Sequence, residues 1–171
     1  HAGQSAAFVA GMKAAKGDPL VLMDADGQND PADVPALLEI LEQQESCAAV
    51  VGYRVNRADS RWRLFQSRVA NGVRNWLTGD RVRDTGCSLK VIRSSAVRDL
   101  VCFDGMHRFF PTLIRRSGGK VFEAPVSHRP RLRGKSKYCM WKRGLVALRD
   151  ALGVRWLRFR RLDYESREEI G

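Results

Sequence analysis

The chain has 171 residues, 44% of them hydrophobic, and 30 lysines and arginines against 19 acids give a formal net charge of +11. That length supports one domain with a substantial core, and no apolar run approaches a membrane span. Four scattered cysteines without CxxC spacing argue against a zinc site or a disulfide framework, while the charge favours polyanionic partners: nucleic acid, an anionic leaflet or phosphorylated substrates.

Residues 4–16 are alanine-rich, with Phe8, Val9 and Met12 on one side, and predict a helix ending near Gly17. Leu20 to Met23 predicts a short buried strand, bounded by Gly17-Asp18-Pro19 and Asn29-Asp30-Pro31. Directly after it comes Asp24-Ala25-Asp26-Gly27-Gln28-Asn29. Strand alternation sends Asp24 and Asp26 to the same side, at the carboxyl end where open α/β sheets bind ligands. Two carboxylates there, with the Gln28 amide oxygen nearby, suit a hard divalent cation that also holds substrate phosphates. The competing reading is a turn in which both aspartates cap backbone amides. Asp30-Pro31 then opens a helix through Val34, Leu37, Leu38 and Leu41 toward Gln44. Residues 48–53 read as a second buried strand. Helices alternating with short apolar strands argue for an α/β sheet with parallel neighbours.

Residues 60–77 are helical in pattern, with Leu64, Phe65, Val69, Val73 and Trp76 as the apolar stripe. On the other side Arg63 and Ser67, four apart, can reach one ligand. A polar loop, 79–88, holds Asp84-Thr85-Gly86-Cys87. A strand at 89–92, helices at 94–101 and 109–117, and two short strands at 120–123 and 126–129 follow. The final segment, 145–171, begins with Leu145, Leu148, Leu152, Trp156 and Phe159 at helical spacing between arginines. Such a basic amphipathic stretch is a candidate for lying on an anionic membrane surface; packing on the domain core is the alternative.

Six motifs in order carry a resemblance: Gly3-Gln4-Ser5-Ala6-Ala7; Asp24-Ala25-Asp26-Gly27-Gln28-Asn29-Asp30-Pro31; Gly52-Tyr53-Arg54; Arg63 with Ser67, Arg68 and Asn71; Asp84-Thr85-Gly86-Cys87; and Arg131 with Gly134-Lys135-Ser136-Lys137-Tyr138. Together they resemble the family 2 glycosyltransferases, in particular the polyprenyl-phosphate branch, over nearly the whole chain. The resemblance implies a GT-A fold, a mixed and mostly parallel sheet flanked by helices. It implies an enzyme of the EC 2.4 class, an inverting, metal-dependent transferase moving a sugar from a nucleotide donor to a polyprenyl phosphate for cell-envelope glycan or lipid modification. Asp24, Asp26 and Gln28 would hold Mg2+ or Mn2+ on the donor diphosphate. Arg54, Arg63, Ser67, Arg131, Ser136 and Lys137 would grip donor and acceptor phosphates, for which arginine's planar fork is suited. Asp84 matches the family's acidic residue beside the acceptor, assigned as base. A polyprenyl phosphate, with a second pKa of about 6, is already ionised enough to attack without one. Arg108, in Met106-His107-Arg108-Phe109, is a further candidate for substrate contact.

The resemblance also implies that residues 1–144 correspond to the carboxyl two-thirds of a GT-A catalytic domain. Family members carry an upstream first strand and a base-recognising acid, without which a sheet edge is exposed and the donor pocket is incomplete. His1 stands where the family has asparagine. The motifs at residues 106–109 and 128–131 look closer to the bacterial branch, which favours a UDP-sugar over GDP-mannose. The implied location is peripheral, on the cytoplasmic face of the plasma membrane. Two other readings compete. A HAD-type phosphatase also begins with a DxD loop, but Gln28 stands where threonine or valine is normal. A basic nucleic-acid-binding module would explain the charge but leave Asp24, Asp26 and Asp84 without a role.

Overall fold

The computed structural model describes residues 3–55, 61–98, 100–129 and 140–160, with only the backbone described at 61, 63, 140–143 and 158. In chain order these form α1 (Gly3–Ala14), β1 (Leu20–Leu22), α2 (Val34–Gln43), β2 (Cys47–Arg54), α3 (Arg61–Thr78), β3 (Lys90–Ile92), α4 (Ser94–Arg98), α5 (Phe110–Arg116), β4 (Lys120–Val126) and α6 (Met140–Arg158). Asp30 caps the 3-10 turn that precedes α2, its Oδ1 accepting the Ala32 N–H at 3.1 Å, as the Asp-Pro pair predicts.

The sheet order is β1-β3-β2-β4. β2 and β4 are parallel, whereas β3 runs antiparallel to both β1 and β2. The expectation of parallel neighbours holds for β2 and β4, while β1 and β2 point the same way with β3 reversed between them. Burial explains the placement. All three β3 residues are buried, as suits an interior strand, while Val21 of β1 is 45% exposed at the sheet's edge. β4 is a single strand rather than the two short ones expected. Pro125 sits inside it because β4 is the other outer strand, where a missing N–H breaks no inner ladder.

Alternating residues divide the core between the two sheet faces. Val50 and Val91 pack with Leu37 and Leu41 of α2. Ala49 and Ile92 face the larger cluster, which contains Leu77 of α3, Phe110 and Ile114 of α5, and Ala151 and Val154 of α6. On this side a polar knot joins α3 to α5. Asp80 lies 3.5 Å from Arg74 and 3.3 Å from Arg115, and accepts the Thr112 hydroxyl. Burial pulls the Arg74 guanidinium down to about 10, against the opposing pull of Asp80.

α3 faces the opposite way from the simplest expectation of an amphipathic helix. Its apolar stripe looks outward: Phe65, Val69 and Val73 are exposed, and Trp76 is 75% exposed. The inward face is carried instead by Leu77, Arg74 and Thr78.

Candidate active site

Strand directions bring four segments to one rim of the sheet. β1, β2 and β4 end there, and reversed β3 begins there, with Leu22 and Val51 both paired to Lys90 and Arg54 paired to Val126. The loop after β1, the end of β2, the loop entering β3 and the residues after β4 therefore meet.

Ser88 joins the first loop to the third. Its Oγ accepts the backbone N–H of Asp24 at 3.3 Å and Nδ2 of buried Asn29 at 2.7 Å. Gln4, in the first turn of α1, donates from Nε2 to Asp24 Oδ1 at 2.6 Å. Asp26 Oδ1 accepts the Gln28 N–H at 3.1 Å, closing a turn in which Gly27 takes φ 76°, a conformation that glycine adopts without steric cost. The segment after β4 docks on the same loop. The Gln28 carbonyl accepts the Arg129 N–H at 2.9 Å, Gln28 Nε2 lies 3.3 Å from His128 Nε2, and Asn29 pairs with His128 in an antiparallel bridge.

Arg54 and Asp84 form a two-pronged ion pair. Arg54 Nε donates to Oδ2 at 2.6 Å and Nη2 to Oδ1 at 3.0 Å. The backbone N–H groups of Arg54 and Gly86 donate to the same carboxylate at 3.3 and 3.0 Å. Burial pushes the Asp84 carboxyl up, but the Arg54 bonds and charge outweigh it and hold the group below its ordinary value. A Cβ at Gly86 would come within 2.7 Å of Arg54 Nη2, so a side chain here would have to displace the end of that guanidinium. Behind the pair sits Lys90, fully buried, its Nζ donating to the Cys87 carbonyl. Burial lowers the pKa of its ammonium group, opposed by Cys87 and by the carboxylates of Asp24 and Asp84.

A cleft of about 290 Å³ opens beside the fork. Tyr53, Arg54 and Asp84 form one wall, and Leu64, Ser67, Arg68 and Asn71 of α3 form the other. Asn71 fixes α3 to the Asp84 loop, donating to the Arg83 carbonyl at 3.0 Å and accepting from the Thr85 hydroxyl at 2.8 Å. Arg83 lies over the Tyr53 ring at 4.9 Å.

Residues 1–101 match the sequence model of Glycosyl transferase family 2. The chain belongs to that family. It is 38% identical over 158 residues to the dodecaprenyl-phosphate galacturonate synthase of Rhizobium johnstonii, covering 89% of this chain and 45% of that protein. It is 35% identical over 140 residues to the undecaprenyl-phosphate 4-deoxy-4-formamido-L-arabinose transferase of Edwardsiella ictaluri, covering 82% of this chain and 42% of that protein. The chain thus spans less than half the length of these curated relatives. Among solved structures it resembles glucosyl-3-phosphoglycerate synthase of Mycobacterium tuberculosis, determined with Mn2+, UDP-glucose and glycerol 3-phosphate. The TM-score is 0.58 at 16% identity, over 95% of this chain and 57% of that one. The GT-A type α/β fold expected from the motifs is the fold found.

Within this family-2 chain the rim holds Asp24, Asp26 and Gln28, and the cleft holds Arg54, Ser67 and Asp84. Among the described residues no group of three or more histidines, cysteines or acids could cage a metal alone. Asp24 and Asp26 supply two hard oxygen donors on one loop, which fits Mg2+ or Mn2+ shared with a diphosphate rather than a dedicated protein cage. Arg63 lies on α3 one turn before Ser67, its side chain outside the description. Arg131, Ser136 and Lys137 lie outside the described residues. Arg108 faces Asp150 of α6 at 3.7 Å, and the neighbouring His107 meets Ser5 Oγ at 2.8 Å.

Two site residues escaped the sequence reading. Lys90 had a usable signal, a charge inside the apolar run 89–92, which no solvated strand face explains. Ser88 had none, because only the tertiary meeting of two loops gives its hydroxyl a task.

Proposed function

We propose that this chain forms the catalytic core of an inverting, metal-dependent glycosyltransferase that moves a sugar from a nucleotide donor to a polyprenyl phosphate. The observation that carries the reading is the joining of the Asp24–Asn29 loop to the Asp84–Arg54 fork through Ser88, on the ligand-binding rim of the sheet. The names of the two relatives, both polyprenyl-phosphate enzymes, support the acceptor class. The solved UDP-glucose complex of the structural neighbour supports a UDP-sugar.

In this reading Asp24 and Asp26, with Gln28 beside them, would hold Mg2+ or Mn2+ for the donor diphosphate. The bound cation stabilises negative charge on the departing nucleoside diphosphate. Ser67, Arg68 and Asn71 line the cleft on the side of α3, and Arg63, Arg131, Ser136 and Lys137 are assigned with them to the donor and acceptor phosphates. One acceptor phosphate oxygen attacks the anomeric carbon. The carbon–oxygen bond to the diphosphate breaks with its electron pair, and the configuration inverts. The attacking oxygen is already ionised, and Asp84 is held ionised by Arg54, so Asp84 orients the fork and its loop rather than taking a proton. The reaction belongs at the cytoplasmic face of the membrane, where nucleotide donors and polyprenyl phosphate meet.

The test is to supply the full-length natural protein with undecaprenyl phosphate and a panel of labelled UDP-sugars. The expected result is a lipid-linked product abolished by EDTA and restored by Mn2+ or Mg2+. Asp24→Asn and Asp26→Asn should each lower turnover by about a hundredfold or more. No lipid product from any donor would overturn the proposal.

A further inference from the structure

Two stretches that stand out in the sequence, Gly3-Gln4-Ser5 and Met106-His107-Arg108-Phe109, do not line the cleft, yet the fold brings them together. The second forms a 3-10 turn, Met106–Arg108, entered through Gly105 at φ 89°. Ser5, 3% exposed, plugs the first turn of α1 into it. Its Oγ accepts the Gly105 N–H at 2.9 Å and meets Nδ1 of His107 at 2.8 Å. One turn further along α1, the Phe8 ring lies 6.3 Å from that of His107 and edge-on to Phe110 at 6.2 Å. From the other side α6 closes on the same turn. Arg108 faces Asp150 at 3.7 Å, and a Cβ at Gly105 would come within 2.5 Å of Asp150 Oδ2. The turn is therefore held between α1 and α6.

Beside buried Ser5 stands Gln4, which is exposed and donates from Nε2 to Asp24 Oδ1 at 2.6 Å. Water competes for both partners of such a bond, and freezing a glutamine side chain costs about as much as one hydrogen bond contributes. The bond gains from a backbone that is already placed, and Ser5 places it one residue away. Asp24 is then fixed twice, its main-chain N–H on Ser88 Oγ at 3.3 Å and its carboxylate on the Gln4 amide. An ionised carboxylate offers about four lone-pair sites, so one donor orients it and leaves acceptors for a cation.

We propose that Gln4 is a positioning residue for Asp24, setting the orientation of its carboxylate for the divalent cation, and that the turn at residues 105–108 acts through Ser5 as the seat that keeps Gln4 in place. The inference rests on the reading of Asp24 and Asp26 as cation ligands. Loss of a partner that orients a metal ligand typically costs about ten- to a hundredfold in metal affinity.

Mn2+ binding tests this without turnover. The full-length natural protein is titrated with Mn2+ in the presence of UDP, and free Mn2+ is read by electron paramagnetic resonance against a baseline of Mn2+ with UDP alone. Gln4→Leu, at an exposed position, should weaken binding about tenfold or more with unchanged circular dichroism. Ser5→Ala and His107→Leu should each weaken it in the same direction by less. In the Gln4→Leu background they should add little, because both act through Gln4. Full Mn2+ affinity in Gln4→Leu would overturn the proposal while leaving Asp24 a ligand. So would Ser5→Ala and His107→Leu losses that simply add to that of Gln4→Leu, the mark of independent loosening. A wild-type protein that binds no Mn2+ with UDP would instead remove the cation-ligand reading, and this proposal with it.

Discussion

Replacing Arg54 with methionine isolates what the fork does. The change keeps an unbranched side chain but leaves Asp84, 8% exposed, without its guanidinium partner. Removing one partner of a buried ion pair costs about 3–5 kcal/mol. The backbone N–H groups of residues 54 and 86 still donate to the carboxylate, so the lower end, about 3 kcal/mol, applies. The pH dependence gives the argument a sign. In the natural chain the folded carboxyl sits below its ordinary value of 3.8. It therefore contributes stability above that pH and loses it as pH falls through the folded value. In the variant, burial acts with the guanidinium gone and raises the carboxyl, so the cost is greatest at neutral pH and shrinks as the group protonates on acidification. Urea unfolding followed by circular dichroism at pH 7 and near pH 4.5 measures both. A cost below about 1 kcal/mol at neutral pH, or an equal cost at both pH values, would refute the reasoning. Adding Asp84→Leu to Arg54→Met should recover much of the loss, because an apolar pair of similar volume replaces the stranded charge.

Ser88→Ala removes the acceptor shared by the Asp24 N–H and the Asn29 amide; it should cost about 1–3 kcal/mol and raise the KM for donor more than it lowers kcat, read in a coupled transferase assay. Lys90→Met keeps bulk while removing the buried amine that donates to the Cys87 carbonyl. Turnover should fall at least about tenfold while the melting temperature moves only a few degrees, and an unchanged kcat would show that Lys90 is purely structural. Gly86→Ala should displace Arg54 Nη2 from Asp84 and lower the urea midpoint in the same direction as Arg54→Met, by less; an unchanged midpoint would mean that the guanidinium tip moves aside without cost. Asp80→Asn should loosen α3 from α5 by weakening the hold on Arg74 and Arg115, lowering the urea midpoint without changing the KM for donor.

The legibility of the fold and site followed the range of the interactions involved. β1, α2 and the Asp-Pro cap are local in origin, and the period and the turn residues predict them well. The antiparallel insertion of β3 was not legible, because no local pattern in a three-residue buried run encodes its direction. The orientation of α3 was misleading for a physical reason: a helix with one apolar stripe normally buries it, and here the buried side is built from Leu77 and the Arg74–Asp80–Thr112 network. At the site, Asp24, Asp26, Arg54 and Asp84 stood out as charged residues next to apolar strands. Their pairing did not. Nothing in the sequence says that Arg54 closes on Asp84, or that Gln28 lies against His128.

The reversed strand β3 has a consequence for how the protein comes into being. β1 has no partner among the described strands until the chain has grown far enough for Leu20 to meet Ile92, and closing so long a loop is entropically slow. Until that closure, the two carboxylate loops belong to separate parts of a fluctuating chain. The rim is assembled in one event, when Ser88 comes in with β3 and the two loops first face each other.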